Sequence, residues 1–161
     1  MYQDEINNLA KQIIDIGRKN KVVISAAESC TGGMIGAAIT SISGSSTVYD
    51  RGFITYSNNS KAELLGIDIN LINQHGAVSQ EIARLMAEGC LIKSNSNLSV
   101  SVTGVAGPGG GTKDKPVGLV YIGVKNGKKI IVSKNQFKNQ GRTAIQKATV
   151  KKTINLILKQ I

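Results

Sequence analysis

A chain of 161 residues suits one domain that buries a substantial core, and 41% apolar with 19% charged residues argues against intrinsic disorder. No apolar run approaches the roughly 20 residues of a membrane span, and the N-terminal segment lacks a signal-peptide core. Two distant cysteines and a single histidine argue against a structural zinc site. We therefore expect a single cytoplasmic domain over residues 1–161, with no metal and no membrane partner.

The formal net charge of +10 raises the question of nucleic-acid binding. The lysines are dispersed, with short clusters at Lys128-Lys129 and Lys151-Lys152, and the chain has no RNA-binding signature rich in aromatic residues. The charge is therefore interpreted as a lysine-rich solvated surface, and no nucleic-acid partner is expected. A basic balance also suits a small phosphorylated substrate.

The first half of the chain alternates helical and strand patterns. Apolar residues from Ile6 to Ile14 recur at helical spacing after the potential cap Asp4, and KVVISAA then reads as a short buried strand. Small and apolar residues from Cys30 to Ile39 favour a second helix, and TVYDRGFITYS reads as a strand. A short helix, a helical turn region and a helix capped by Ser79 follow; the last has the buried stripe Ile82, Leu85, Met86, Gly89 and Cys90.

The second half begins with a buried strand, NLSVSVTGVAG, that runs into the glycine-rich loop GPGGGTKDKP. A β-hairpin with its turn at Asn126-Gly127 comes next, and an amphipathic helix covers about Arg142 to Gln160. This order predicts an α/β fold, a three-layer α/β/α sandwich on a mixed, mainly parallel sheet, with one antiparallel strand from the hairpin.

The stretch AESCTGG is dense in reactive groups, but neither Ser29 nor Cys30 has an evident base nearby. Two interpretations stay open. Glu28 and Ser29 can cap the next helix, or the strand-to-helix turn can bind an anion through its free N–H groups. VTGVAGPGGG likewise ends a strand in glycines, and the carboxyl ends of strands are where open α/β sheets bind ligands.

Another stretch, SGSSTVYDRGFITYSNNSK, places a hydroxyl in a tight turn and a lysine after the following strand. A straight strand would put Ser46 and Tyr56 roughly 30 Å apart at about 3.3 Å per residue. Contact between them therefore requires a sharp bend, or a partner group from a second subunit.

Four ordered motifs, AESCTGG, GSSTVYDRGFITYSNNSKAELLGI, HGAVS and TGVAGPGGGTKDKPVGLVYIG, make the chain resemble the CinA C-terminal domain family from about Asp4 to Leu158. Within the family it is similar to the stand-alone, PncC-like nicotinamide-nucleotide amidases. The resemblance implies hydrolysis of nicotinamide mononucleotide to nicotinic acid mononucleotide and ammonia. It also implies no cofactor and a homodimer or higher homo-oligomer.

The resemblance also implies site residues. By motif position, the catalytic serine, lysine and tyrosine match Ser46, Lys61 and Tyr56. Ser46 would attack the amide, and Lys61 would accept its proton with help from Tyr56. The residues expected to bind substrate are Glu28, Ser29, Thr31, Gly32, Gly33, Gly44, Ser45, Thr103, Gly104, Gly107 and Arg142.

One departure from the family concerns Gln146, because relatives commonly carry a second arginine four residues after the match to Arg142. If both arginines hold phosphate, this chain binds it with one bidentate group fewer. The alternative function is accordingly a catalytically weak nucleotide-binding or interaction module of the same fold.

Overall fold

The computed structural model describes residues 2–161 as helices packed on both faces of a five-stranded sheet. In chain order the elements are α1 (Tyr2–Lys19), β1 (Ile24–Glu28), α2 (Met34–Thr40), β2 (Tyr49–Ile54), α3 (Asn58–Leu65), α4 (Ile69–His75), α5 (Gln80–Ile92), β3 (Leu98–Gly104), β4 (Leu119–Asn126), β5 (Lys129–Gln136) and α6 (Arg142–Leu158). A 3-10 turn at Ser45–Thr47 precedes β2. Among these residues no helix combines the length and the apolar character that a membrane span requires.

The sheet has the strand order β2-β1-β3-β4-β5. Strand β1 pairs in parallel with β2 and with β3, whereas β4 is antiparallel to both β3 and β5. Four strands therefore run in one direction and only β4, the first strand of the hairpin, opposes them. The predicted mixed, mainly parallel sheet with one antiparallel hairpin strand is confirmed.

Two apolar cores lie on opposite faces of the sheet, which confirms the three-layer α/β/α sandwich. The larger core joins α1, α2 and α6 to one face, with Ile13, Ile24 and Ile154 among its buried side chains. The smaller core lies under α3, α4 and α5 and contains Ile72 and Met86. The predicted buried stripe of α5 is present, although Leu85 is only partly buried.

Two boundaries differ from the sequence-based expectation. Helix α2 begins at Met34 rather than Cys30, because residues 30–33 form a turn around the Glu28 side chain. Strand β2 ends at Ile54, before Tyr56, and α3 begins after Ser57. The chain between β2 and α3 is therefore short, which places α3 close to the carboxyl end of the sheet.

Only small side chains lie between helix α5 and the strands β3 and β4 at their contact. Ser99 and Ser101 on β3 donate hydrogen bonds to the carbonyls of Ala87 and Ala83 on α5, at 2.6 and 2.5 Å. Gly123 on β4 faces the same seam, where a Cβ would lie 2.6 Å from Ser101 Oγ and 2.9 Å from Ala83 O. Only a residue without a side chain fits there without moving the helix.

We predict that Gly123→Ala lowers the free energy of unfolding by about 1–3 kcal/mol, the usual cost of overpacking a closed site. Gly109→Ala is the matched control, since a Cβ at Gly109 has no atom within 4 Å. Urea unfolding of both variants measures the difference. Equal stability of the two variants would contradict the close packing of α5 on the sheet.

Candidate active site

A cleft of about 330 Å³ opens at the carboxyl ends of β1 and β3, beside the segment that follows β2. Its volume is within the range of small-molecule sites, and its position at the strand ends is the one that α/β sheets commonly use. Its wall comes from the turn after β1, the start of α3, the residues before α5, the glycine-rich loop after β3 and the start of α6. The lining residues are Ser29, Cys30, Tyr56, Asn58, Lys61, Ala77, Val78, Thr103, Gly104, Val105, Ala106, Gly107, Gly109, Gly110 and Arg142.

Lys61 and Ser29 meet at the base of this cleft. Lys61 Nζ donates hydrogen bonds to Ser29 Oγ at 3.1 Å and to the Thr55 carbonyl at 2.8 Å. Lys61 is only 1% exposed, and this burial lowers the pKa of its amine. A lysine held partly desolvated beside a hydroxyl is the arrangement of a base next to a nucleophile.

Local structure fixes Lys61 in this position. The side chains of Ser57 and Ser60 form a reciprocal capping box that starts α3, and Lys61 follows in its first turn. Because β2 pairs in parallel with β1, and Thr55 N–H donates to the Glu28 carbonyl at 2.8 Å, the ends of the two strands lie side by side. Lys61 and Ser29 are therefore neighbours although 32 residues separate them.

Cys30 lines the cleft next to Ser29, but its thiol is a poor nucleophile. Burial, helped by the nearby Glu28 carboxylate, raises the pKa of Cys30 to about 12. The thiol therefore stays protonated at neutral pH, and only the thiolate is strongly nucleophilic.

Glu28 has a structural task instead of a place in the cleft. One carboxylate oxygen accepts from Thr31 Oγ1, Gly33 N and Ile35 N at 2.7–3.1 Å, and the other accepts from Gly36 N at 2.9 Å. The protein's own carboxylate therefore occupies the positive end of α2. Of the two interpretations of AESCTGG, helix capping by Glu28 is the one that forms.

Three other residues expected to bind substrate lie in the same turn and not in the cleft wall. Thr31 is buried, and its hydroxyl is committed to Glu28. Gly32 and Gly33 have positive φ values of 56° and 103°, which let the chain turn tightly around that carboxylate. The two glycines therefore shape the turn, and neither lines the cleft beside Lys61.

Ser46 lies at the other end of β2 from Lys61. It is exposed in the 3-10 turn before the strand, and six strand residues at about 3.3 Å each place roughly 20 Å between the two ends of β2. Gly44 and Ser45 lie in the same turn, near Arg18 of α1. The expected pairing of Ser46 with Lys61 is not formed within the described chain, because the two residues lie at opposite ends of β2.

The remaining expected residues do surround the cleft. Arg142 reaches across its mouth, with Nη1 donating to the Gly107 carbonyl at 2.9 Å and Nη2 to Tyr56 Oη at 3.1 Å. Thr103 is buried at the end of β3 and donates to the Ala77 carbonyl at 2.7 Å, which ties the loop before α5 to the sheet, and Gly104 follows it in the wall. Arg142 thus joins the loop after β3 and the segment after β2 to the start of α6.

The chain matches the model of the CinA C-terminal domain over residues 6–161. It belongs to the CinA C-terminal domain family. A putative competence-damage inducible protein of Caldicellulosiruptor bescii is 46% identical; the match covers 95% of this chain and 37% of that protein. A CinA-like protein of Chlorobaculum tepidum is 47% identical, and the match covers 77% of this chain and 29% of that protein. The chain thus spans between about a quarter and two fifths of the length of the curated relatives it matches.

Solved structures show the same fold. The competence/damage inducible protein CihA from Agrobacterium tumefaciens superposes with a TM-score of 0.94 at 42% identity, over 96% of this chain and 94% of that one. A CinA superfamily protein from Escherichia coli gives a TM-score of 0.92 at 24% identity, over 97% and 90% of the two chains. The fold is therefore that of the CinA family.

Sequence reasoning missed several cleft residues of this CinA C-terminal domain. Asn58, Ala77 and Val78 line the wall, and Gln146 donates from α6 to the Cys30 carbonyl at 2.9 Å. The rule that parallel strands end at one edge could have paired Ser29 with Lys61, because each follows such a strand. No pattern in the sequence indicated the Gln146 contact, which joins residues 116 positions apart.

We predict that the free energy of unfolding rises with pH toward 10.5 through Lys61. The folded pKa of Lys61 is below the value of 10.5 that it has when exposed, so between the two values the unfolded chain binds more protons than the folded one. Stability must therefore increase with pH in that window, and Lys61→Met must remove the increase. Urea unfolding of both proteins across the window tests this, and a pH-independent difference between them would contradict it.

Proposed function

We propose that this chain hydrolyses the carboxamide of nicotinamide mononucleotide, with Ser29 as the nucleophile and Lys61 as the base. The observation that carries the proposal is the 3.1 Å contact between Lys61 Nζ and Ser29 Oγ in the cleft. Family membership and the resemblance to nicotinamide-nucleotide amidases support the choice of substrate. The proposal keeps the expected lysine but transfers the attack from Ser46 to Ser29.

In the first step Ser29 Oγ forms a bond to the amide carbon while its proton passes to the neutral amine of Lys61. Negative charge develops on the former carbonyl oxygen. A hydrogen-bond donor directed at that oxygen is typically worth about 2.7–4 kcal/mol in the transition state. The Thr55 carbonyl holds the resulting ammonium of Lys61 in place.

In the second step the bond between carbon and nitrogen breaks. Lys61 returns the proton to the departing nitrogen, so ammonia leaves and a nicotinoyl ester remains on Ser29. Water then attacks the ester carbon while Lys61 accepts its proton; Lys61 passes that proton to Ser29 Oγ as the ester bond breaks, which releases the acid product and restores the neutral amine. Tyr56 lines the cleft 3.1 Å from the Arg142 guanidinium and can help to orient the substrate.

Arg142 is the group best suited to hold the phosphate of the nucleotide. It starts α6 at the cleft, where the positive end of a 17-residue helix adds to the guanidinium charge. Gln146, one turn later, is engaged with the Cys30 carbonyl. Phosphate binding would therefore depend on one arginine in this chain.

We predict that Ser29→Ala and Lys61→Ala each lower kcat for ammonia release by about 10³-fold or more, since nucleophile and base act as a unit. Ser46→Ala is the discriminating variant and should stay within about twofold of wild type, because Ser46 is distant from the cleft. Ammonia and nicotinic acid mononucleotide are measured in parallel. Loss of activity in Ser46→Ala but not in Ser29→Ala would overturn the assignment of the nucleophile.

The same assay distinguishes the amidase from the alternative function, a nucleotide-binding module with little or no activity. Nucleotide binding by calorimetry without any product from the wild-type chain would indicate a binding module and reject the amidase. Binding that weakens in Ser29→Ala or Arg142→Gln would still locate the ligand in the cleft.

We predict that Arg142→Gln raises KM for nicotinamide mononucleotide about tenfold or more, because a charge-assisted bidentate contact to phosphate is lost. The nucleoside that lacks the phosphate is the control substrate, and its KM should change little. An equal rise for both substrates would show that Arg142 acts through the loops it joins and not through phosphate.

A further inference from the structure

The positive charge of this chain is concentrated in its last third. Residues 115–161 contain eleven Lys and Arg and no Asp or Glu, a net charge of +11. Residues 1–114 contain nine basic and ten acidic residues, a net charge of −1. A uniformly solvated lysine surface would not be divided in this way.

The fold gathers this segment on one side of the molecule. It forms β4, the edge strand β5 and α6, which packs on α1 and β4. Both β5, at about 3.3 Å per residue, and α6, at about 1.5 Å per residue, are roughly 25 Å long. We call this side the basic edge and define it by the lysines Lys125, Lys128, Lys129, Lys134, Lys138, Lys147, Lys152 and Lys159.

The lysines of the basic edge are not neutralised by the protein. None of the eight side chains forms a hydrogen bond or an ion pair with another described residue. The other basic groups of the segment are occupied: Lys151 pairs with Glu5 at 2.6 Å, Lys115 donates to the His75 carbonyl, and Arg142 belongs to the cleft. The basic edge therefore carries eight unpaired cations, on both faces of the β4-β5 hairpin and on different sides of α6, and these repel each other until an anion binds.

We propose that the basic edge binds the phosphate backbone of a double-stranded nucleic acid. Duplex DNA carries one negative charge per about 1.7 Å of its axis, so an edge about 25 Å long that carries eight lysines can contact several phosphates. Lysine is a point charge suited to phosphate contacts that do not read base sequence. Binding is therefore electrostatic, insensitive to sequence and strongly dependent on salt.

The surroundings of the basic edge favour a duplex over a membrane surface or a single-stranded nucleic acid. The exposed large apolar side chains of the described chain are Ile54, Tyr56, Leu64, Ile69 and Ile92, none of which lies in residues 115–161. A membrane-surface site pairs its basic residues with apolar side chains that enter the lipid. A single-strand site stacks bases on exposed aromatic rings, and the basic edge offers none.

The test is fluorescence anisotropy of a labelled DNA duplex titrated with the full chain at several NaCl concentrations. The edge variant changes four lysines to glutamine: Lys125→Gln, Lys128→Gln, Lys129→Gln and Lys134→Gln. We expect its affinity at about 50 mM salt to fall at least tenfold, and the slope of log affinity against log salt to lose about one unit per lysine. Circular dichroism checks that the variant is folded.

The matched control removes the same charge elsewhere, through Lys11→Gln, Lys19→Gln, Lys21→Gln and Lys93→Gln. These lysines are exposed and lie in residues 1–114. The control should keep the wild-type affinity within about threefold and lose less than one unit of slope. Equal losses in both variants would show a net-charge effect and overturn the site.

Two further outcomes would also overturn the proposal. One is the absence of duplex binding by wild type at low salt. The other is binding to vesicles that contain anionic lipid, lost in the edge variant, without duplex binding under the same conditions; it would assign the surface to a membrane.

Discussion

The structure depends on the parallel pairing of β1 with a strand on each side. Every residue of β1 is buried, and its backbone is hydrogen-bonded to β2 and to β3. This pairing brings the carboxyl ends of three strands to one edge, so that the turn after β1, the segment after β2 and the loop after β3 share a cleft. Without that pairing, Ser29, Lys61 and Thr103 would not line the same cleft.

The end of β1 shows how consecutive residues are given different tasks. Side chains alternate across a strand, and Glu28 therefore points to the layer of α2 while Ser29 enters the cleft. The Glu28 carboxylate satisfies three backbone N–H groups at the start of α2, which fixes the turn that carries Ser29. A residue that never faces the cleft thus decides the position of the residue that does.

The burial of Lys61 lowers stability and makes its chemistry feasible at the same time. Desolvation disfavours the ammonium, which is why the pKa of Lys61 is lowered, and its hydrogen-bond partners in the described chain, the Ser29 hydroxyl and the Thr55 carbonyl, carry no negative charge that would offset that cost. The capping box of α3 and the Thr55 carbonyl hold the amine where it is. A strong ion pair would have stabilised the charged form and removed the base.

Patterns within single elements were enough to predict the fold. The helical spacing of α1, the apolar run KVVISAA and the Asn126-Gly127 turn are local signals, and each led to the observed helix, strand or hairpin. The rule for ligands at strand ends also located the loops around Ser29 and Thr103. What failed was the choice between Ser29 and Ser46 as partner of Lys61, because that choice depends on which end of β2 lies beside which strand.

Contacts between distant elements are also invisible in the sequence, and this explains why the lysines looked dispersed along the chain. Lys134 lies in β5 and Lys147 in α6, with the end of the strand, a loop and the start of the helix between them. In the fold, however, β5 and α6 belong to the same side of the sandwich. Their repulsion is tolerable at the edge of the sheet, where each ammonium stays in water. In the centre of the sheet, where β1 and β3 are covered on both faces, such charges would have to be buried, and there the strands carry apolar and small side chains, with serine and alanine in β1 and serine, leucine and valine in β3.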